Sequence, residues 1–434
     1  MSPSKKRYAV VGVGSRSEMY TRAIAEDYRA SAELVGLCDT NPARMALRNR
    51  RLAESVGEVA AYPAAEFDRM VAETKPDTVI VTSMDVTHSD YIVRAMELGC
   101  DVVTEKPMTT DEARCTKILQ AVRGTGRKIQ VTFNYRYAPP RSQVKEILAS
   151  GAIGEITGVD FHWTLDTRHG ADYFRRWHRQ RANSGSLLVH KATHHFDLVN
   201  WWLGARPTAV YATGRRAFYT PATADETFSL AGRGERCHGC EAAETCPFFL
   251  DLAANDQLRA MYLECESADG YFRDRCVFDD RIDIWDTMSL AVAYDTGAMM
   301  SYSLLAYAPV EGYAIAFNGT RGRLEHRACE NTYISGDGTV PGELTRGNVT
   351  ITLIPAFESP QEIEVATGAG GHGGGDRLLL DDVFRADPPA DPLARKAGEI
   401  DGATSILTGI AACRSIDSGQ AIRIDDLVNP ELLA

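Results

Sequence analysis

Three groups of residues in this chain have the types and spacing for chemistry. The first is Glu105-Lys106-Pro107, which closes an apolar run, Asp101-Val-Val-Thr104. Proline cannot continue a β-ladder, so it stops that segment and fixes the direction of the lysine. The second is Gly12-Val-Gly14-Ser15-Arg16-Ser17, where an N-terminal apolar run turns on glycine, with Asp39 following 25 residues after Gly14. The third is His190-Lys191-Ala-Thr-His194-His195-Phe-Asp197, four basic side chains and a carboxylate beside apolar neighbours. A lysine and histidines near a glycine-rich turn suit proton transfer beside a bound nucleotide.

The elements that must position these groups read as alternating strands and helices. Strands are expected at 7–12, 33–38, 78–82, 101–104 and 128–133. Helical periodicity runs through 17–29, 41–56, 63–75, 87–99 and 109–124. Such alternation implies a doubly wound parallel sheet, in which ligands sit beyond the carboxyl ends of the strands. Gly12, Asp39 and Lys106 all fall there. The glycine turn fits a dinucleotide fingerprint, although Ser17 stands where the third glycine belongs, and an ordinary strand–helix turn is the other reading. Asp39 supports the first, since a carboxylate accepts from ribose hydroxyls and repels a 2′-phosphate. That favours NAD over NADP, with Arg44 pulling the other way. His88, after Ser83-Met-Asp-Val-Thr87, either touches the nicotinamide ribose or caps and packs locally.

Bulk properties narrow the class. At 434 residues the chain suits two domains, and 44% apolar with 24% charged residues is ordinary for a globular protein. A net charge of −12 argues against general nucleic-acid binding. No run approaches the roughly 20 apolar residues of a membrane helix. The start carries no signal-peptide pattern, so a cytoplasmic location is expected. Ten cysteines are then thiols or metal ligands rather than a disulfide framework.

Together these pieces resemble the Gfo/Idh/MocA family of oxidoreductases. The resemblance rests on Gly12-x-Gly14, Asp39, Glu105-Lys106-Pro107, Asn134-Tyr135-Arg136-Tyr137 and Gly185 through Asp197. It extends to Gly151-x-x-Gly154-Glu155-Ile156 and to Gly370-Gly-His372-Gly-Gly-Gly-Asp376. It implies an N-terminal Rossmann domain, here 1–135, and a C-terminal α/β domain with a large, mostly antiparallel sheet, here 136–434. That second sheet serves the family as substrate floor and subunit interface, so a homo-oligomer (dimer or tetramer) is expected. NAD would lie against Gly12, Gly14, Ser15, Arg16, Asp39, Ser83, His88, Glu105, Lys106 and Asn134. Lys106 would polarise the reacting hydroxyl and His194 would act as acid–base, oriented by Asp197. Many members carry aspartate where this chain has His190, with Lys191 following, so these two join the catalytic candidates. Arg136, Tyr137 and His195 would shape the substrate pocket.

Two segments stand apart. Residues 162–181 hold five arginines and three histidines, with Trp177 offering a face to a sugar ring. Arg168 and Trp177 are therefore substrate candidates, and an anionic sugar or glycoside is one reading; a solvated charge run is the other. Cys237-His-Gly-Cys240, then Cys246, with Cys276 farther on, has zinc-like spacing within an insert near 233–280. A structural zinc and unligated thiols both fit it. Farther on, strands are expected at 281–307 and 313–326 with a turn at Asp295-Thr-Gly297, and a last helix at 399–418. The expected function is NAD-dependent hydride transfer at a ring carbon of a carbohydrate, with C3 foremost. A redox-neutral, NAD-dependent glycosidase and a non-enzymatic sugar sensor are the alternatives.

Overall fold

A computed structural model describes residues 5–332, 349–366 and 374–433. The run Lys6–Val11 forms β1, whose residues from Tyr8 to Val11 are nearly inaccessible because helices cover both faces of its sheet. In chain order follow α1 (Ser17–Ala25), β2 (Ala32–Asp39), α2 (Pro42–Val56), β3 (Ala61–Pro63) and α3 (Phe67–Thr74). Next come β4 (Thr78–Val81), α4 (His88–Glu97), β5 (Asp101–Thr104), α5 (Glu112–Thr125) and β6 (Ile129–Val131). All six strands are parallel, in the order β3-β2-β1-β4-β5-β6. The order reverses between β1 and β4, and there the chain needs glycine. A Cβ on Gly12 would sit 2.4 Å from the Ser83 backbone, and its φ is +86. A Cβ on Gly14, by contrast, would meet nothing within 4 Å.

The second unit opens with α6 (Pro139–Ala149) and β7 (Ile156–Asp166). A group of short helices then leads up to the cleft: α7 (Thr167–Arg175), α8 (Arg181–Ser184), α9 (Leu187–His190) and α10 (Thr193–Leu203). Then come β8 (Pro207–Arg215), α11 (Pro221–Glu226), α12 (Asp256–Met261), α13 (Glu266–Asp269), β9 (Thr287–Tyr294), β10 (Met299–Ala308), β11 (Val310–Gly319) and β12 (Gly322–Thr332). β13 (Val349–Pro355), β14 (Gln361–Ile363), α14 (Gly375–Phe384), α15 (Glu399–Ser418) and β15 (Ile422–Arg423) complete the chain. Nine strands form one sheet, β14-β13-β12-β11-β7-β10-β9-β8-β15, antiparallel except where β7 meets β10.

The β9–β10 turn closes on Gly297 (φ +87), as the Asp295-Thr-Gly297 signal predicts, and the last long helix begins at 399 and ends at 418 as expected. One late helix crosses back. Phe384 of α14 packs edge-on against Tyr8 at 5.0 Å, and the Tyr8 hydroxyl donates to the Val383 carbonyl at 3.1 Å. The stretch 281–326 divides into more strands than its two expected runs. The glycine-rich segment around His372 lies outside the described residues. Among the described residues, no helix is long and apolar enough to cross a membrane.

Candidate active site

The carboxyl ends of β1, β2, β4 and β5 open onto a cleft of about 530 Å³, faced by α7, α9 and α10 of the second unit. Its first half suits a dinucleotide. Gly12, Gly14, Ser15 and Arg16 line it, and the empty space over Gly14 lies at the start of α1. Asp39 faces the same cleft, its carboxylate held by the backbone N–H groups of Val13 and of Asn41, the latter at 2.7 Å. These residues fit NAD. Arg44 does not oppose that preference, because its guanidinium is committed elsewhere: it pairs with Asp269 at 2.6 Å and donates to the Met261 carbonyl at 3.2 Å.

That pair belongs to a clasp. The Asn41 side chain donates to the Cys265 carbonyl at 2.9 Å, and Met261 and Tyr262 pack on Leu47 of α2. The insert of the second unit thus grips the nucleotide-binding unit beside Asp39.

Glu105 lines the cleft with its carboxylate engaged by its neighbours. It holds the Arg16 Nε at 2.5 Å and the Tyr20 hydroxyl at 2.7 Å. Burial pushes its carboxyl up, but Arg16 and Lys106 outweigh this and hold it below the usual range. Ser83 lines the cleft with its hydroxyl 2.8 Å from that of Thr87. His88 lies 2.9 Å from the Pro107 carbonyl and 3.1 Å from that of Ser83, so it ties the β4 and β5 loops together by local packing. Asn134 lines the cleft and donates to Asp376 at 2.7 Å.

The second half is lined by Lys106, His190, Lys191 and His194. Lys106 Nζ lies 3.5 Å from His190 Nε2, and His190 Nδ1 lies 2.5 Å from Asp85 Oδ2. Asp85, just after β4, supplies from the other domain the carboxylate that position 190 lacks. Burial depresses His190 well below the imidazole range and raises Asp85. Burial also holds Lys106 down to about 8, although Asp85 and Glu105 pull it up. A limb near pH 8 is therefore expected in the pH profile of hydroxyl oxidation. Asp85→Asn removes one source of upward pull and should move that limb down by roughly one unit. Single-turnover NADH formation across pH checks this, and an unmoved limb removes Asp85 from the relay.

His194 lies flat on the Tyr135 ring at 4.1 Å, and Lys191 Nζ reaches the Tyr135 hydroxyl at 3.1 Å. Both line the cleft. Trp177 lines it as well, stacked on His178 at 3.5 Å.

Several expected residues stand elsewhere. Arg136 makes a two-bond pair with Asp197, at 2.8 and 2.6 Å, and also meets Asp401 at 2.8 Å. Asp197 is thereby committed to Arg136. Tyr137 donates to Asp382 at 2.9 Å. His195 is a core residue, stacked on Trp163 at 3.9 Å and bonded to the Tyr302 hydroxyl at 2.6 Å. Arg168 is exposed on the first turn of α7, away from the cleft lining.

Most of the arginine run is structural. Arg175 binds the Phe248 carbonyl, Arg179 pairs with Asp279 and Arg181 with Asp417; only Arg176 reaches the cleft, beside Asp172. Sequence reasoning passed over Asp85, His169 and Tyr173. Asp85 carried a usable signal, being the first carboxylate after β4.

The zinc expectation is corrected. Among the described residues, no group of three or more His, Cys, Asp or Glu side chains is arranged to hold a metal ion. Burial pushes the thiols of Cys237 (to about 11), Cys246 and Cys276 up, while the Cys240 sulfur accepts from the Gly234 N–H at 3.3 Å. The insert is fastened by other means: Arg236 pairs with Glu266 at 2.6 Å and Asp274 at 2.7 Å, and the backbones of Cys237 and Cys276 bond across to Asp274 and Glu235.

A switch-point cleft with a lysine and histidines facing it defines a nucleotide-dependent enzyme fold. Residues 6–133 match a family model described as an oxidoreductase family with an NAD-binding Rossmann fold, and residues 145–424 match that family's C-terminal alpha/beta domain. The chain belongs to the Gfo/Idh/MocA oxidoreductase family. It is similar to YteT of Bacillus subtilis (strain 168), a protein named as an oxidoreductase, at 38% identity over 97% of this chain and 98% of that one. It is also similar to D-glucoside 3-dehydrogenase of Escherichia coli (strain K12), at 31% identity over 36% of this chain and 42% of the relative. Among solved structures, the WlbA dehydrogenase from Bordetella pertussis, in complex with NADH and UDP-GlcNAcA, superposes with a TM-score of 0.64. It is 18% identical, over 97% of this chain and 99% of that one. At that identity the likeness is one of fold.

Proposed function

We propose that this enzyme oxidises a secondary hydroxyl on the ring of a sugar or glycoside, with C3 the expected carbon. The observation that carries the reading is the Lys106–His190–Asp85 chain at the end of the NAD cleft. NAD, when bound, supplies the hydride acceptor. Lys106 meets the hydroxyl and takes its proton, His190 Nε2 can relay it, and Asp85 fixes the imidazole through Nδ1. His194, held flat on Tyr135, offers a second imidazole to the ring. The name of the D-glucoside 3-dehydrogenase relative supports a sugar ring and C3. Arg176 and Lys191 leave room for an anionic substrate, on fewer cations than the arginine run suggests. Assembly through the outer face of the nine-stranded sheet, where Tyr211 and Met299 are 53% and 66% exposed, belongs to the same reading.

A second reading is redox-neutral cleavage of a glycoside, in which the hydride is returned after the aglycone leaves. It is favoured by His169 and Tyr173, which line the cleft in addition to the groups that hydride transfer needs. The test uses purified protein and a panel of neutral, carboxylated and sulfonated aryl glycosides, with NAD added or stripped. Steady NADH accumulation without aglycone is the expected result for a dehydrogenase. NAD-dependent aglycone release without NADH accumulation would replace it with the second reading.

A further inference from the structure

One end of the cleft is built from both units. Asp39 and Arg44 line it from the nucleotide-binding unit, and Tyr262, Asp269 and Tyr271 line it from the insert. Asp269 is the last residue of α13, and the next residue, Gly270, turns the chain through the left-handed region (φ +70). The Tyr271 N–H then donates back to Asp269 Oδ1 at 3.1 Å, which fixes the direction of the carboxylate. Its two oxygens meet both terminal nitrogens of Arg44, at 2.6 and 3.5 Å. The remaining Arg44 nitrogen, Nε, is used by the Met261 carbonyl at 3.2 Å. The rings of Tyr262 and Tyr271 lie 5.9 and 5.6 Å from the guanidinium carbon. The insert thus engages every nitrogen of this guanidinium.

Arg44 stands in the first turn of α2, just beyond the strand that ends on Asp39. An arginine near that strand end is the group that accommodates a ribose 2′-phosphate, because its planar fork matches phosphate oxygens. Here the fork is already filled. The carboxylate that fills it also brings a second negative charge to this end of the cleft. Burial raises the Asp39 carboxyl, and Asp269 adds to that rise while Arg44 opposes it, so the three charges act on one another. Two carboxylates and one guanidinium leave a net negative charge where a 2′-phosphate would bring roughly −2 more.

We propose that Asp269 sets the choice of NAD over NADP, as a positioning residue that acts through Arg44. This rests on the reading that the Asp39 end of the cleft receives the adenosine ribose of the dinucleotide. Asp39 by itself leaves the choice open, since a free Arg44 close by would offset its charge and receive the phosphate. Asp269 withdraws that offset. It does so from the other domain, 225 residues beyond Arg44. Cofactor preference in this chain is therefore divided between the strand end, which supplies the acceptor for ribose hydroxyls, and the insert, which disarms the nearest cation.

The experiment titrates the full chain with NAD and with NADP separately and follows quenching of tryptophan fluorescence. Wild-type protein should bind NAD more tightly than NADP. Asp269→Asn, and Asp269→Ser as a smaller replacement, should each raise NADP affinity. The NADP-to-NAD affinity ratio should rise by about 10-fold or more, the scale of one charge-assisted hydrogen bond. Asp269→Glu keeps the carboxylate and should keep the wild-type ratio. Asp269→Asn combined with Arg44→Gln should lose most of the gain, because the guanidinium that would receive the phosphate is gone. A merely structural clasp would weaken both cofactors together and leave the ratio where it was. That result, a gain that persists without Arg44, or a wild-type preference for NADP overturns the proposal. Failure of the wild type to bind either nucleotide overturns the reading of the cleft itself.

Discussion

Lys106→Ala should lower kcat for hydroxyl oxidation by about 10³-fold, with the loss in kcat rather than in NAD affinity. The lysine ammonium's hydrogen bonds among the described residues are long ones, to His190 Nε2 at 3.5 Å and to the His190 carbonyl at 3.4 Å. Its head is therefore available to a substrate hydroxyl instead of being used to hold the fold. Removing it leaves Glu105 with Arg16 and Tyr20, so the cofactor side keeps its charge balance. NADH formation in a single turnover, beside NAD affinity from fluorescence quenching, measures the two quantities separately. A variant that keeps its turnover would move the proton-transfer role away from Lys106. A protein whose ligand response survives the change while no turnover is ever seen would be a sensor.

Arg136→Ala has its large effect on stability. Its guanidinium is buried and grips two carboxylates, one of them, Asp197, 1% exposed. Taking away one partner of a buried pair leaves an uncompensated charge and costs about 3–5 kcal/mol. Thermal or urea unfolding should show this loss. Arg136→Met combined with Asp197→Leu should recover most of it, because an apolar pair of similar volume replaces both charges. If instead the single variant folds normally and loses substrate affinity, the residue belongs to the pocket after all.

The contrast between these two residues shows what the sequence could carry. Lys106 was legible because its position follows from local rules: a buried strand, a stop at proline, and a sheet whose ligands sit at the strand ends. The Rossmann strands were legible for the same reason, except Ala61–Pro63, whose three residues are too few to show a pattern. Arg136 looked like a pocket residue because it adjoins Asn134 and Tyr135, yet its partners lie 61 and 265 residues away. Distance in sequence likewise hid Asp85 from His190, and Asp269 from Arg44. His194 and His195 differ in another way. They are neighbours in the chain, but a helix turns successive side chains by about 100°, so one faces the cleft and the other the sheet. The arginine run misled because composition records charge but not its pairing. Only Asp172, four residues before Arg176, announced its partner locally.

The grip of the insert on α2 bears on how free energy is distributed between folding and binding. Domain enzymes that close around a cofactor must order two bodies at the moment of capture, and affinity falls by that amount. Here Arg44, Asn41 and Leu47 are already engaged by Asp269, Cys265, Met261 and Tyr262. Parting the two units on that side would strip a buried guanidinium of its carboxylate, a costly exposure of each to a poorer partner. The relative placement of the domains beside Asp39 is therefore set when the chain folds, and an arriving nucleotide meets a slot of fixed width. Binding need not supply the ordering.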